Sequence, residues 1–153
     1  MRRFILIGPM GHGKSTLCQA LNDLELRYKK TQAVEVFRST IDTPGEYLEI
    51  RRMNPALMIA AVEAEIIVLV QSCGDERSLF PPGFSDMFGG KPVWGAVSKT
   101  DLARDEASIT RAEALLKRAG ASALFRVSCR DPDSVRTLRE SLYGGIHTNL
   151  LTI

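Results

Sequence analysis

Apolar residues along this chain fall into two patterns that alternate. Short, near-continuous runs bounded by Gly, Pro or Asp occur at Phe4 to Ile7, Ile66 to Val70, Val93 to Val97 and Leu124 to Val127, with a weaker alternating run at Ala33 to Phe37. Runs this short, with almost no polar interruption, predict strands buried on both faces. Between them apolar positions recur at helical spacing: Leu17, Ala20, Leu21 and Leu24; Leu57, Ala60, Ala61 and Ala64; Ile109, Ala112, Leu115 and Leu116; Val135, Leu138 and Leu142. Each such stripe covers one sheet face. Strands alternating with helices require right-handed crossovers, so the expected fold is a three-layer α/β/α arrangement around a mainly parallel, doubly wound sheet. Ligands of such sheets sit beyond the carboxyl ends of the strands.

Length and charge narrow this picture only a little. The 153 residues suit one domain, expected over 1–143, with Gly144-Gly145 ending the last helix and a tail over 144–153 that either docks on a neighbour or stays disordered. A net charge of +2 gives no basic groove, so neither nucleic acid nor a membrane is expected as partner. The apolar run after Arg2 and Arg3 stops at Gly8 without a cleavage site, and no run reaches membrane-spanning length, so a cytoplasmic protein is expected. Cys18, Cys73 and Cys129 are odd in number and widely spaced, reading as core thiols and not as a disulfide or zinc framework.

Candidate chemistry gathers after the strands. GPMGHGKST, Gly8 to Thr16, follows the first strand and matches G-x-x-x-x-G-K-[ST], a loop whose backbone N–H groups cradle phosphates. Gly11 and Gly13 let the backbone wrap closely, Lys14 reaches the β- and γ-phosphates, and Ser15 ligates Mg²⁺. His12 either touches a phosphate or packs outward. Ile41-Asp42-Thr43-Pro44-Gly45 offers a carboxylate for Mg²⁺ at Asp42 and a γ-phosphate contact at the Gly45 N–H. After the fourth strand, Ser98-Lys99-Thr100-Asp101 suits a base: the Asp101 carboxylate accepts from the N1–H and exocyclic amine of guanine, and Lys99 lays its stem along the ring. This favours GTP over ATP; alternatively, Thr100-Asp101 caps the next helix. Ser128 and Cys129, after the fifth strand, add a backbone N–H to the guanine O6 or simply end the strand.

GPMGHGKST, TQAVE at Thr31 to Glu35, IDTPGEYLE at Ile41 to Glu49, LFPPGF at Leu79 to Phe84 and SKTDLA at Ser98 to Ala103 together resemble the EutP/PduV family over almost the whole chain. These are small GTPase-like proteins of ethanolamine and propanediol utilisation, associated with bacterial microcompartments. The resemblance implies a Ras-like P-loop fold, GTP/GDP binding with ATP/ADP as the alternative, and association with microcompartment shell proteins; acetate kinase activity is attributed to EutP-type members. It makes Gly8 to Ser15 the phosphate loop, Thr31 the switch threonine beside Ser15 and Asp42 at the metal, and Lys99 with Asp101 the base-reading pair.

The chain departs from the Ras-like pattern in three places. Ser98 replaces the usual Asn, whose amide ties the base motif to the phosphate loop, and restores only part of that bonding. Glu46 follows Gly45 where a water-positioning glutamine is usual, so hydrolysis is expected to be slow unless Glu46 or a partner positions the water; Glu46 otherwise reads as an exposed acid of a helix's first turn. Only residues 32–41 separate Thr31 from Asp42, too few for a two-stranded hairpin. One strand over roughly Ala33 to Ile41 fits, leaving about five strands and an exposed edge through which a homodimer can form.

The reading is then a Mg²⁺-dependent guanine-nucleotide switch with slow GTPase activity. Its rivals are an ATP-using acetate kinase-type phosphotransferase, with His12, Lys29 or Lys30 near the acceptor, and a shell-binding adaptor with a residual nucleotide site. The proline-stiffened Leu79 to Phe84 loop either grips a partner or covers the sheet edge, and Trp94 is expected at or near the core.

Overall fold

The computed structural model describes residues 3–9, 12–14, 16–22, 40–42, 54–75 and 80–151, of which 40–42, 54 and 144–151 are described by backbone alone. Five parallel strands form one sheet: β1 (Phe4–Ile7), β2 (Thr40–Asp42), β3 (Ile66–Ser72), β4 (Val93–Ser98) and β5 (Ala123–Arg126), in the order β2-β1-β3-β4-β5. Helices follow as α1 (residues 16–22), α2 (Asn54–Ala61), α3 (Glu106–Ala119) and α4 (Pro132–Leu151).

The strands β1, β3 and β4 are buried from both sides, which is why their runs carry almost no polar alternation. Ile5, Ile7, Ile67 and Leu69 face a core with Leu57 and Ala61 of α2 and Ile109, Ala112 and Leu116 of α3. Their chain neighbours Phe4, Leu6, Val68 and Val70 face a second core with Leu17 and Leu21 of α1 and Val135, Leu138 and Leu142 of α4. Period-two side-chain direction thus turns one apolar run into contacts with two helical layers.

The chain leaves β1 for β2 on one side and β3 on the other, so the strand order reverses at β1 and opens a crevice beyond its carboxyl end. The crossover packs so tightly there that a Cβ on Gly8 would lie 2.8 Å from the Val70 carbonyl oxygen.

Some expectations hold here and others are corrected. Gly144-Gly145 does not end the last helix, which runs to Leu151; glycine lowers helix propensity by about 1 kcal/mol without forbidding the conformation. Of the strand expected over roughly Ala33 to Ile41, Thr40–Asp42 is described and 33–39 lies outside the described residues. Cys18 and Cys73 are buried, but Cys129 is exposed because it sits past the end of β5. Of the Leu79 to Phe84 loop, the described part from Phe80 on covers the core: Phe80 and Phe84 are buried with ring centroids 5.4 Å apart, and Phe88 continues the cluster. Trp94 is half-buried and packs on Phe125.

Candidate functional site

The phosphate loop, the Ser98-to-Asp101 segment and the Ser128-to-Arg130 segment meet at the carboxyl edge of the sheet. Between them lies a cleft of about 180 Å³ lined by Gly13, Thr16, Lys99, Asp101, Cys129 and Arg130 among others. Each wall is set by where a strand stops.

On the phosphate side Gly13 has φ +78°, a left-handed conformation that glycine adopts without steric cost. Its carbonyl accepts from the Leu17 N–H at 2.9 Å and so starts α1. Lys14 follows and is buried at 6% exposure. Gly11 and Ser15 lie outside the described residues, as do Thr31, Gly45 and Glu46. Asp42 ends β2 in register with Leu6. That register puts the Asp42 backbone at the same sheet edge as the loop, a position that fits an Mg²⁺ partner.

His12 corrects an expectation: it neither packs outward nor offers its ring to a phosphate. It is buried, with Nδ1 accepting from the Ser72 N–H at 3.1 Å and Nε2 at 3.0 Å from an Asp75 carboxylate oxygen. The end of β3 comes so close to the loop that the ring fills the gap between them.

Ser98 recovers the tie expected to be weakened by the missing Asn. Its Oγ donates to the His12 carbonyl at 2.6 Å, and both residues are buried. The shorter side chain suffices because the loop backbone itself comes to the strand end. Lys99 then adopts φ 59° and ψ 35°, the only described non-glycine residue with positive φ. Such a conformation persists only where surrounding bonds hold it. Here the Lys99 carbonyl accepts from Cys73 Sγ at 3.2 Å, and Thr100 donates N–H and Oγ1 to the Val127 carbonyl at 3.3 and 3.1 Å. The Lys99 stem passes over the loop, with Cε 3.5 Å and Cγ 3.8 Å from the place of a Cβ on Gly13.

Asp101 does not cap the next helix. Asp105 does, accepting from the Ser108 N–H at 2.9 Å. The Asp101 carboxylate instead takes the Ser128 Oγ–H at 2.8 Å on one oxygen, with Arg130 Nε 3.7 Å from the other. These contacts orient a carboxylate at the mouth of the cleft while leaving lone pairs for a ligand. The Ser128 N–H is bonded to Ser134 Oγ at 3.0 Å, so the N–H expected there for guanine O6 is already used, and Cys129 is the neighbour that remains in the cleft wall. Although Cys129 as a residue is exposed, partial desolvation of its thiol in the cleft wall, then the Asp101 charge, pushes that thiol above its ordinary pKa. Sequence reasoning missed the Ser128 and Arg130 contacts to Asp101 and the whole Ser72–His12–Asp75 group. No spacing signal links residues that far apart.

The chain matches the PduV-EutP family, described as ethanolamine utilisation - propanediol utilisation, over residues 1–143. It is 43% identical over 135 residues to the propanediol utilization protein PduV of Citrobacter freundii, covering 88% of this chain and 89% of that protein. It is 34% identical over 143 residues to the probable acetate kinase EutP of Escherichia coli, covering 93% and 89%. Among solved structures, translation elongation factor SelB from Methanococcus maripaludis, in complex with the GTP analogue GppNHp, superposes with a TM-score of 0.67 at 17% identity. That alignment covers 96% of this chain but only 35% of SelB, so the shared part is one fold within a longer protein.

Proposed function

The chain belongs to the PduV-EutP family, and from that premise we propose that it is a Mg²⁺-dependent guanine-nucleotide-binding protein that hydrolyses GTP slowly and works with a bacterial metabolic microcompartment. The observation that carries the reading is the Asp101 carboxylate, anchored by Ser128 at the mouth of a cleft whose other wall is the phosphate loop at Gly13. A fixed carboxylate accepts from two donors on guanine, whereas adenine presents no such pair.

On this reading the Cys129 N–H faces the guanine O6, the Lys99 stem covers the base, and the loop amides with Lys14 hold the phosphates. Ser15, Thr31 and Asp42 would hold Mg²⁺, which would neutralise phosphate charge. Lys14 offsets charge that develops on the transferring phosphoryl group, and Glu46 is assigned to position the water. Loss of the γ-phosphate releases the segments around Thr31 and Gly45, giving a switch that shell proteins could read. Pairing of two copies through the β2 edge belongs to the same proposal, and light scattering that gives a monomer would remove it.

A second reading is favoured by the name of the Escherichia coli relative, a probable acetate kinase: phosphoryl transfer between ATP and acetate. Calorimetric titration with GDP and with ADP, both with Mg²⁺, separates the two. GDP preference that moves to xanthosine diphosphate in Asp101→Asn supports the guanine reading. ADP binding equal to or stronger than GDP and unaffected by the substitution overturns it, and acetate-dependent ADP formation then tests the kinase.

A further inference from the structure

The phosphate loop is fastened from behind by a side chain for which phosphate binding has no use. His12 is 6% exposed; its Nδ1 accepts from the Ser72 N–H at 3.1 Å and its Nε2 lies 3.0 Å from Asp75 Oδ2. A ring nitrogen that accepts from an amide carries no proton, so the ring proton is on Nε2 and donates to the carboxylate. One neutral tautomer satisfies both partners.

The backbone of the same residue is used as well, since the His12 carbonyl accepts from Ser98 Oγ at 2.6 Å. Ser72 and Ser98 are registered partners at the ends of β3 and β4. His12 therefore joins the loop to two adjacent strand ends. It immediately precedes Gly13 at φ +78° and the buried Lys14. A glycine-rich loop has little stiffness of its own, so whatever orders it before the ligand arrives lowers the entropy lost on binding.

We propose that His12 is a positioning residue of the nucleotide site, holding the phosphate loop against Ser72 and Asp75 as its Nε2–H tautomer so that Gly13 and Lys14 are placed for a diphosphate. The inference rests on the nucleotide-binding reading above. It assigns His12 to the phosphates alone and gives it no part in reading the base.

The test is calorimetric titration of the full chain with GDP, GMP and inosine diphosphate, for wild type, His12→Ala, His12→Asn and His12→Gln. Asparagine can keep an acceptor near the Nδ1 place, and glutamine a donor near the Nε2 place. His12→Ala is expected to weaken GDP on the order of tenfold to a hundredfold, the worth of about two buried hydrogen bonds. GMP, which lacks the phosphate that Lys14 reaches, is affected far less, and the ratio of GDP to inosine diphosphate affinity stays at its wild-type value. His12→Asn and His12→Gln each recover part of the loss.

A merely structural role would lower all three ligands together, in step with the folded fraction seen by circular dichroism, and would overturn the proposal. If His12→Ala does not fold, Asp75→Ala takes its place with an expected severalfold drop in the GDP-to-GMP ratio. An unchanged ratio in folded His12→Ala, or in Asp75→Ala, overturns this proposal while leaving the nucleotide reading intact. A wild-type chain that binds none of the three overturns the nucleotide reading and this inference with it.

Discussion

On the base side of the cleft the Asp101 carboxylate is held by side chains, Ser128 at 2.8 Å and Arg130 at 3.7 Å. On the phosphate side Gly8 holds its place because it has no side chain: a Cβ there would meet the Val70 carbonyl oxygen at 2.8 Å, below any ordinary contact. The base side is thus built from groups standing on a finished sheet, and the root of the phosphate loop at Gly8 from the sheet's own close packing. Substitutions on the first should change which nucleotide binds while the fold persists. A substitution in the close packing at Gly8 should register first as lost stability.

The largest effect is expected on the base side. Asp101→Asn replaces a charged acceptor of two hydrogen bonds by an amide, a loss of roughly a hundredfold in GDP affinity, or about 2.7 kcal/mol. Its thermal midpoint should stay within a few degrees of wild type, and a large drop would break the contrast. Gly8→Ala should do the reverse: overpacking between β1 and β3 costs about 2 kcal/mol, a fall of roughly 4–8 °C in Tm by scanning calorimetry. An unchanged Tm would show that the strands separate freely there.

Ser98→Ala sharpens the comparison because Ser98 touches both sides. Removing its hydroxyl leaves the buried His12 carbonyl short of a partner, which costs about 1–2 kcal/mol by chemical denaturation. Weaker GDP binding should accompany that loss. The smallest effect concerns Cys129, whose thiol is pushed up by partial desolvation and by Asp101. Because the thiolate is the reactive form, iodoacetamide labelling of Cys129 should be slower at pH 7 than for a free thiol and should rise only above the ordinary thiol range. Bound GDP should slow it further; mass spectrometry of the labelled peptide reads both.

Much of this arrangement was legible in the chain. The runs Phe4 to Ile7, Ile66 to Val70 and Val93 to Val97 lie within the observed strands or coincide with them, and the fifth is displaced by one residue, to Ala123–Arg126. The Gly8-to-Thr16 loop was placed by its spacing, and the Ser98-to-Asp101 segment by its position after the fourth strand. One error came from a local habit that does not forbid the alternative. Gly144-Gly145 looked like a stop, yet α4 continues to Leu151. Of the two readings open for Thr100-Asp101, the helix cap falls away, because Asp105 takes that role.

By itself, then, the sequence determined the order of strands and helices, the parallel sheet buried on two faces, and the gathering of three motifs at one edge. These follow from periodicity and turn chemistry, which act over a few residues. Only the tertiary structure decided that Ser98 bonds the loop carbonyl, that Ser128 holds Asp101, and that His12 turns inward to Ser72 and Asp75. Those contacts join residues 27 to 86 positions apart, and they form because the register of β3 and β4 brings their ends level. Register is a property of the whole sheet, summed over every cross-strand pair, and no single stretch of the chain carries it.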